Sequence, residues 1–219
     1  MGLLYRKARG VPANIDLQAQ DEFRDGTLKP LLDQAVAARC QVYFVDAAHF
    51  VRGAFLGYLW CLVAFVVATA AGRQRCSVLG AVNAVSHRLI RKTTTKTVND
   101  ETVARLLYKI RLAHPDEPIH VVLDNARYQH TKFVRAVAKV FGIRLVYLPT
   151  YSPNLNLIER VWKFVRKKAL ANRHFADFRG FQNAINDVLD GLDTTFQAQM
   201  ATLLTHNFET LSKPSICTV

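Results

Sequence analysis

The stretch "YLPTYSPNLNLIERVWKFVRKK", Tyr147–Lys168, reads as the end of a strand, a turn and the start of a helix in one short run. Pro149 and Pro153, with Tyr151 between them and Ser152, Asn154 and Asn156 close by, set a turn that delivers the helix from about Asn156. In that helix one acid, Glu159, stands among Arg160, Lys163, Arg166, Lys167 and Lys168. An isolated helical Glu is ordinarily an ion-pair partner on a solvated face. Its meaning depends on what the rest of the chain brings near it.

Working outward, the preceding segments alternate in period. "PIHVVLDN" reads as a strand, "TKFVRAVAKVFG" as a helix closed by Gly142, and "IRLVYLP" as the next strand. Before them a helix starts at Asn99 or Asp100, with Val103, Leu106, Leu107 and Ile110 as its apolar stripe. Further upstream "QVYFVDAAHF" is a strand, and Asp16 and Thr27 are expected N-caps of two short helices ending near Arg39. Two more strands are expected from the apolar run after Phe55 and from "RQRCSVLGAVNAVSH", joined by a turn near Ala68–Gly72. Helices over 178–191 and 195–208 close the chain. From the first of these strands the order is β-β-β-α-β-α-β-α, an α/β fold built as one domain with a helical lead-in.

Composition narrows the partners. The chain has 219 residues, half of them apolar, enough for one sizeable core. A formal charge of +12 favours polyanions, nucleic acid or an anionic membrane surface, over acidic small molecules. Cys40, Cys61, Cys76 and Cys217 show no paired spacing, which points to a reducing compartment and no structural zinc, with a disulfide as the alternative. The first residues have neither the apolar length of a secretory signal nor the Ser or Thr of a myristoylation site. Seventeen uncharged residues, Phe55–Ala71, reach the lower limit of a membrane span. Val63, Val66 and Val67 with Gly53 and Gly57 favour a pair of buried strands instead, so no membrane partner is expected.

The acids then acquire a pattern. Asp46 sits inside an almost wholly apolar strand and Asp124 ends another. A carboxylate there is costly unless paired. One such Asp is satisfied by capping or local hydrogen bonds, but two of them with Glu159 after a third strand suit a shared hard cation held by oxygen ligands. Parallel strands end on one side of a sheet, where ligands gather. Two metal ions about 4 Å apart suit phosphodiester cleavage, and a basic chain supplies affinity for DNA. The residues alone thus lead to a metal-dependent nuclease or phosphoryl transferase.

"FVDAAHF", "VLDNARYQH" and "LPTYSPNLNLIERVWKFVRKK", in that order, resemble the three signature blocks of DDE transposases of the mariner-like superfamily, in its bacterial insertion-sequence branch. The 34 residues between Asp124 and Glu159 match that branch's spacing, and "GRQRCSVLGAVNA" resembles its third-strand region. The likeness runs from about Asp16 to Leu170. It implies a ribonuclease H-like fold with a mixed five-stranded sheet and helices on both faces. It divides the chain into a lead-in over 1–40, a DDE catalytic domain over 41–175, and C-terminal helices over 176–219 packing on it. Asp46, Asp124 and Glu159 would be the catalytic acids and hold two Mg2+ ions, with Mn2+ as a substitute. The implied activity is metal-dependent cleavage of DNA at inverted-repeat ends and joining of the 3′-hydroxyls to target DNA, at TA, without a covalent protein intermediate.

Partners implied by the resemblance are double-stranded DNA and a second copy of the chain in the active complex, in a bacterial cytoplasm, associated with the nucleoid. Mariner-like enzymes carry helix-turn-helix modules ahead of the catalytic domain, and about forty residues precede the first strand here, so the recognition module is expected to be missing, cut away, or encoded as a separate upstream product. Arg160, Lys163, Arg166, Lys167 and Lys168 are candidates to line the DNA path, against the alternative of a solvated basic face. Asn125, Asn156, His49 and His130 are candidates to support the acids, and Trp162 is expected in the core. Competing readings are a non-catalytic, transposase-derived DNA-binding regulator and another ribonuclease H-like nuclease such as a junction resolvase.

Overall fold

A computed structural model of the chain describes residues 15–53, 62, 66 and 74–208. The stretch 55–71, apart from positions 62 and 66, lies outside these residues, and so do the first fourteen residues, Cys61 and Cys217. The strand expected in 55–67, and its reading as a span, belong to that stretch. Among the described residues no helix is long and apolar enough to cross a membrane.

Asp16 caps α1 (Leu17–Phe23), accepting from Ala19 N at 3.0 Å. Thr27 is not the N-cap expected of it: it lies within a π-helical turn, Arg24–Leu28, that runs α1 into α2 (Lys29–Val36). The turn bonds Lys29 N back to Arg24 O and so leads the helix into Pro30, which has no N–H for the ladder.

Among the described residues five strands form one sheet in the order β3-β2-β1-β4-β5. They are β1 (Gln41–Val51), β2 (Arg75–Asn83), β3 (Leu89–Thr94), β4 (Ile119–Leu123) and β5 (Ile143–Tyr147). β2 and β3 run antiparallel to their neighbours, while β4 and β5 are parallel to β1. The segment "RCSVLGAVN" is therefore the second strand among the described residues and pairs directly with β1. The third strand, "LIRKTT", is a half-buried edge whose Arg91 and Lys92 mask its apolar signal.

Helices cover both faces. α3 (Asp100–Ala113), capped by an Asn99–Thr102 box, and α4 (Lys132–Val140) pack on one face with Tyr43, Val45, Leu79 and Val121. Gly142 follows α4 with φ 61, the left-handed residue expected to close it. On the other face α2, α5 (Ile158–Val165), α6 (Phe178–Asp190) and α7 (Gln197–Leu203) share an apolar cluster with Val42, Phe44, Ala48 and Phe50 of β1.

Strand alternation in β1 places Asp46 within the row Phe44, Asp46, Ala48, Phe50, facing α5. Opposite Asp46 in the register is Gly80. A Cβ at Gly80 would lie 2.7 Å from the Trp162 ring, so the indole rests directly on the strand backbone. That close approach is what the glycine permits.

Candidate active site

Asp46, Asp124 and Glu159 line one cavity of about 210 Å³ at the ends of β4 and β5. The last β1–β4 pair is Val45–Leu123, and Asp46 and Asp124 follow it on adjacent parallel strands. Asp124 Oδ1 accepts from Ala126 N at 3.3 Å, which fixes the chain as it leaves β4. Glu159 arrives from the other wall. The Pro153–Leu155 turn carries the chain into α5, Glu159 N bonds Asn156 O at 3.2 Å, and Glu159 falls in the helix's first turn. An acid is favoured there by the helix dipole.

Burial, and then the charges of Glu159 and Asp124, push the Asp46 carboxyl from the usual 3.8 up to about 7. The Ala47 backbone and the Trp162 indole pull it partly back. Burial also raises Asp124, against the Ala126 N–H. The Tyr128 hydroxyl is pushed up by burial and then by Asp124 and Asp46, which places it within reach of their field. Among the described residues no three His, Cys, Asp or Glu side chains are close enough to hold one ion together. Asp46 nonetheless feels the charges of both other acids, that of Glu159 more strongly than that of Asp124. Repelling carboxylates in a partly dry cavity are the donor set of a hard cation.

Several side chains hold this arrangement. Trp162 Nε1 donates to Asp46 Oδ2 at 3.1 Å, and the buried indole meets Phe50 edge-on at 6.3 Å. Trp162 is therefore a core residue, as expected, and also the donor that orients Asp46. The sequence carried a signal for this, since Trp162 follows Glu159 by three residues and shares its helix face. Replacing Trp162 with Phe keeps the ring over Gly80 and removes the donor. The Asp46 pKa is then expected to rise further above about 7, read by carboxyl NMR titration. An unchanged value would mean that the indole N–H does not hold the carboxylate.

Asn156 is buried, donates from Nδ2 to Val45 O at 3.4 Å, and leaves its Oδ1 without a hydrogen-bond donor beside the acids. Asn125 ties the ends of β4 and β5 by donating to Leu148 O at 2.6 Å. His130 bonds Asn125 Oδ1 at 3.1 Å and stacks on Tyr147 with centroids 4.0 Å apart. His49 is not brought to the acids. Alternation turns it to the face opposite Asp46, where it bonds Ser77 Oγ at 2.9 Å.

The five bases of the Glu159 helix separate by environment. Lys163, Lys167 and Lys168 are exposed, and Lys168 also lies 5.8 Å from the Phe164 centroid. Arg166 sits 5.4 Å from the Phe50 centroid. Arg160 lines a groove beside Lys163 and is also tied within the chain. Its guanidinium donates to Leu203 O, Thr205 O and Asn207 O at 3.1, 2.8 and 2.6 Å and lies over the Phe208 ring. These carbonyls lie at and just beyond the end of α7, where backbone acceptors lack helical partners. Arg160→Ala is expected to cost about 2–3 kcal/mol in urea unfolding and to make 203–208 the first site of proteolysis. Wild-type stability in the variant would show that the three bonds contribute nothing net.

Residues 41–182 match the family model described as DDE superfamily endonuclease. An uncharacterised protein of Sinorhizobium fredii, y4pE/y4sA, is 38% identical over 65 residues, which are 29% of this chain and 46% of that protein. The match thus spans less than half the length of that curated relative. The Mos1 transposase paired-end complex with left transposon end superposes with a TM-score of 0.61 at 15% identity, covering 95% of this chain and 69% of that one. The Mos1 mariner paired end complex with Mn gives 0.60 at 14% identity, with the same coverages. At this identity the likeness is one of fold, and that fold is the ribonuclease H-like sheet.

Proposed function

The chain belongs to the DDE superfamily of endonucleases, and from that premise we propose that it is the catalytic domain of a transposase that cleaves and joins DNA. The observation that carries this reading is the convergence of Asp46, Asp124 and Glu159 on one cavity, with the half-buried Asp46 raised to a pKa of about 7 by its desolvation and then by the charges of Glu159 and Asp124. The donor set fits a divalent cation. All three side chains offer oxygen, Asp46 feels the charges of the other two, and Asn156 Oδ1 adds a buried acceptor without a partner. We assign Asp46, Asp124 and Glu159 to two Mg2+ ions, replaceable by Mn2+. Bound there, the ions would activate a water or a 3′-hydroxyl and stabilise the leaving oxygen.

The chain's own residues do the positioning. Trp162 orients Asp46, Asn156 fixes the β1 backbone beside it, and Asn125 with His130 holds the floor between β4 and β5. A groove of about 610 Å³ continues past Glu159, lined by Lys163, Thr202 and Thr205. Lys163 and Arg160 in its lining, together with the overall charge of +12, draw the DNA backbone toward acids that would otherwise repel it. α6 and α7 share a core with the sheet, which supports treating the described part of the C-terminal segment, 176–208, as packed on the catalytic domain of 41–175.

The finer assignments rest on the resemblance. They are inverted-repeat ends, a TA target, a homodimer, a helix-turn-helix module supplied elsewhere, and a place at the bacterial nucleoid. The Mos1 complexes are assemblies of that protein on transposon ends, one of them with Mn. The test is the chemistry of the product ends. Supercoiled plasmid nicked with Mg2+ or Mn2+ is expected to carry 3′-hydroxyl and 5′-phosphate termini, with no nicking in EDTA. Termini of 3′-phosphate, or nicking that persists in EDTA, would contradict the reading.

A further inference from the structure

We infer that Gln20, on α1, is a positioning residue for Glu159, acting through the loop that leads into α5. Gln20 lies outside residues 41–182, which match the family model, yet its side chain is wholly buried against the candidate site's wall. Both ends of its amide are used. Nε2 donates to Tyr151 O at 3.2 Å and Oε1 accepts from Asn154 Nδ2 at 3.1 Å. A buried amide on a short helix is expensive without such partners, so the bonds lock α1 and the loop to each other.

The clamped loop resists its own conformation. Tyr151 has φ 59, in the left-handed region that a bulky side chain avoids, and it is the carbonyl of this residue that Gln20 holds. From there the path to Glu159 is short and fixed. Leu155 is fully buried, Asn156 bonds the β1 backbone at Val45 O, and Asn156 O accepts Glu159 N. Tyr151, Ser152, Pro153, Asn156 and Glu159 form one continuous wall of the cavity. Asp46 and Asp124 stand on the sheet, so a shift of α1 moves Glu159 against them. The lead-in is thereby part of the catalytic unit, and whatever acts on it acts on the separation of the acids.

This inference rests on the reading of the three acids as metal-holding, and its test keeps the two apart. Mn2+ binding to the full chain without DNA is measured by titration calorimetry for wild type, Glu159→Gln, Gln20→Leu and the double variant. Gln20→Leu preserves size and removes both bonds. It is expected to weaken the ion that needs Glu159 about tenfold. The double variant is expected to bind like Glu159→Gln alone, because Gln20 acts only through that acid. Gln20→Glu keeps the acceptor for Asn154 but, while ionised, cannot donate to Tyr151 O. It is expected to give a smaller loss of the same ion and decides the matter if Gln20→Leu does not fold. Wild-type Mn2+ affinity in the folded Gln20 variants, or losses that simply add to that of Glu159→Gln, would overturn the inference alone. A Glu159→Gln variant that binds Mn2+ like wild type would overturn the reading of the acids and the inference with it.

Discussion

Asp46→Asn is expected to lose metal-dependent DNA nicking by more than about a thousandfold while remaining folded. The side chain keeps its shape, so the Trp162 indole still finds an oxygen to donate to, and the contact over Gly80 is untouched. What disappears is the negative charge of the acid that feels both of the others. Without it binding of both ions weakens together. Asp124→Asn and Glu159→Gln each remove an outer acid of the set, so their loss of the first bound ion is expected to be smaller than that of Asp46→Asn. Plasmid nicking scored beside Mn2+ titration separates these cases. Equal nicking by wild type and Asp46→Asn would contradict the role given to Asp46.

The metal-free protein is expected to lose stability as pH rises toward 7, and Asp46→Asn is expected to remove most of that loss. The folded Asp46 carboxyl titrates at about 7, above its ordinary value of 3.8, so the folded state holds the proton more tightly than the unfolded chain. Its contribution to stability is whole below the unfolded value, declines by about 1.4 kcal/mol per pH unit between the two values, and is gone above the folded one. Between pH 5 and pH 8 the wild type should therefore lose about 3 kcal/mol relative to Asp46→Asn, a difference in Tm on the order of 5–10 °C. Adding Mg2+ at pH 8 should return much of the loss to the wild type and little to the variant, because a cation does for the ionised carboxylates what the proton does at pH 5. Parallel Tm–pH curves for the two proteins in EDTA would show that Asp46 does not carry this charge strain.

The alternation of periods made most of the sheet legible. β1, β4 and β5 are short runs of apolar residues bounded by turn formers, and Asn99, Thr131 and Gly142 punctuate α3 and α4 where the chain's local chemistry demands. The hairpin was harder to read. β3 is an edge strand whose Arg91 reaches Asp190 and Asn186 on α6, so residues that read as polar surface are tied down by tertiary contacts with no local signature. Thr27 failed as a cap for a related reason. A helix that absorbs Pro30 through a π turn leaves no break to cap.

At the site, the three acids were visible because buried strand ends seldom carry carboxylates without a purpose. Asn125, Asn156 and His130 were legible as their supports, but Gln20 was not. Gln20 meets Tyr151 and Asn154 across more than a hundred residues of chain, and nothing near position 20 announces it. His49 lies three residues from Asp46 in sequence, but an odd separation along a strand puts it on the other face. Arg160 sits beside Glu159 and reads as one more base, yet its partners are carbonyls at the chain's far end.

The central claim, a working metal site at the three acids, is met most directly by nicking of supercoiled plasmid in Mn2+ by this chain beside its Asp124→Asn variant, purified in the same way. Asp124 leaves β4 at the cavity and takes little part in the core, so its loss should leave the fold alone. Nicking by the wild type and none by the variant is the predicted result. Equal nicking by both, at equal concentration and with both proteins folded, would contradict it.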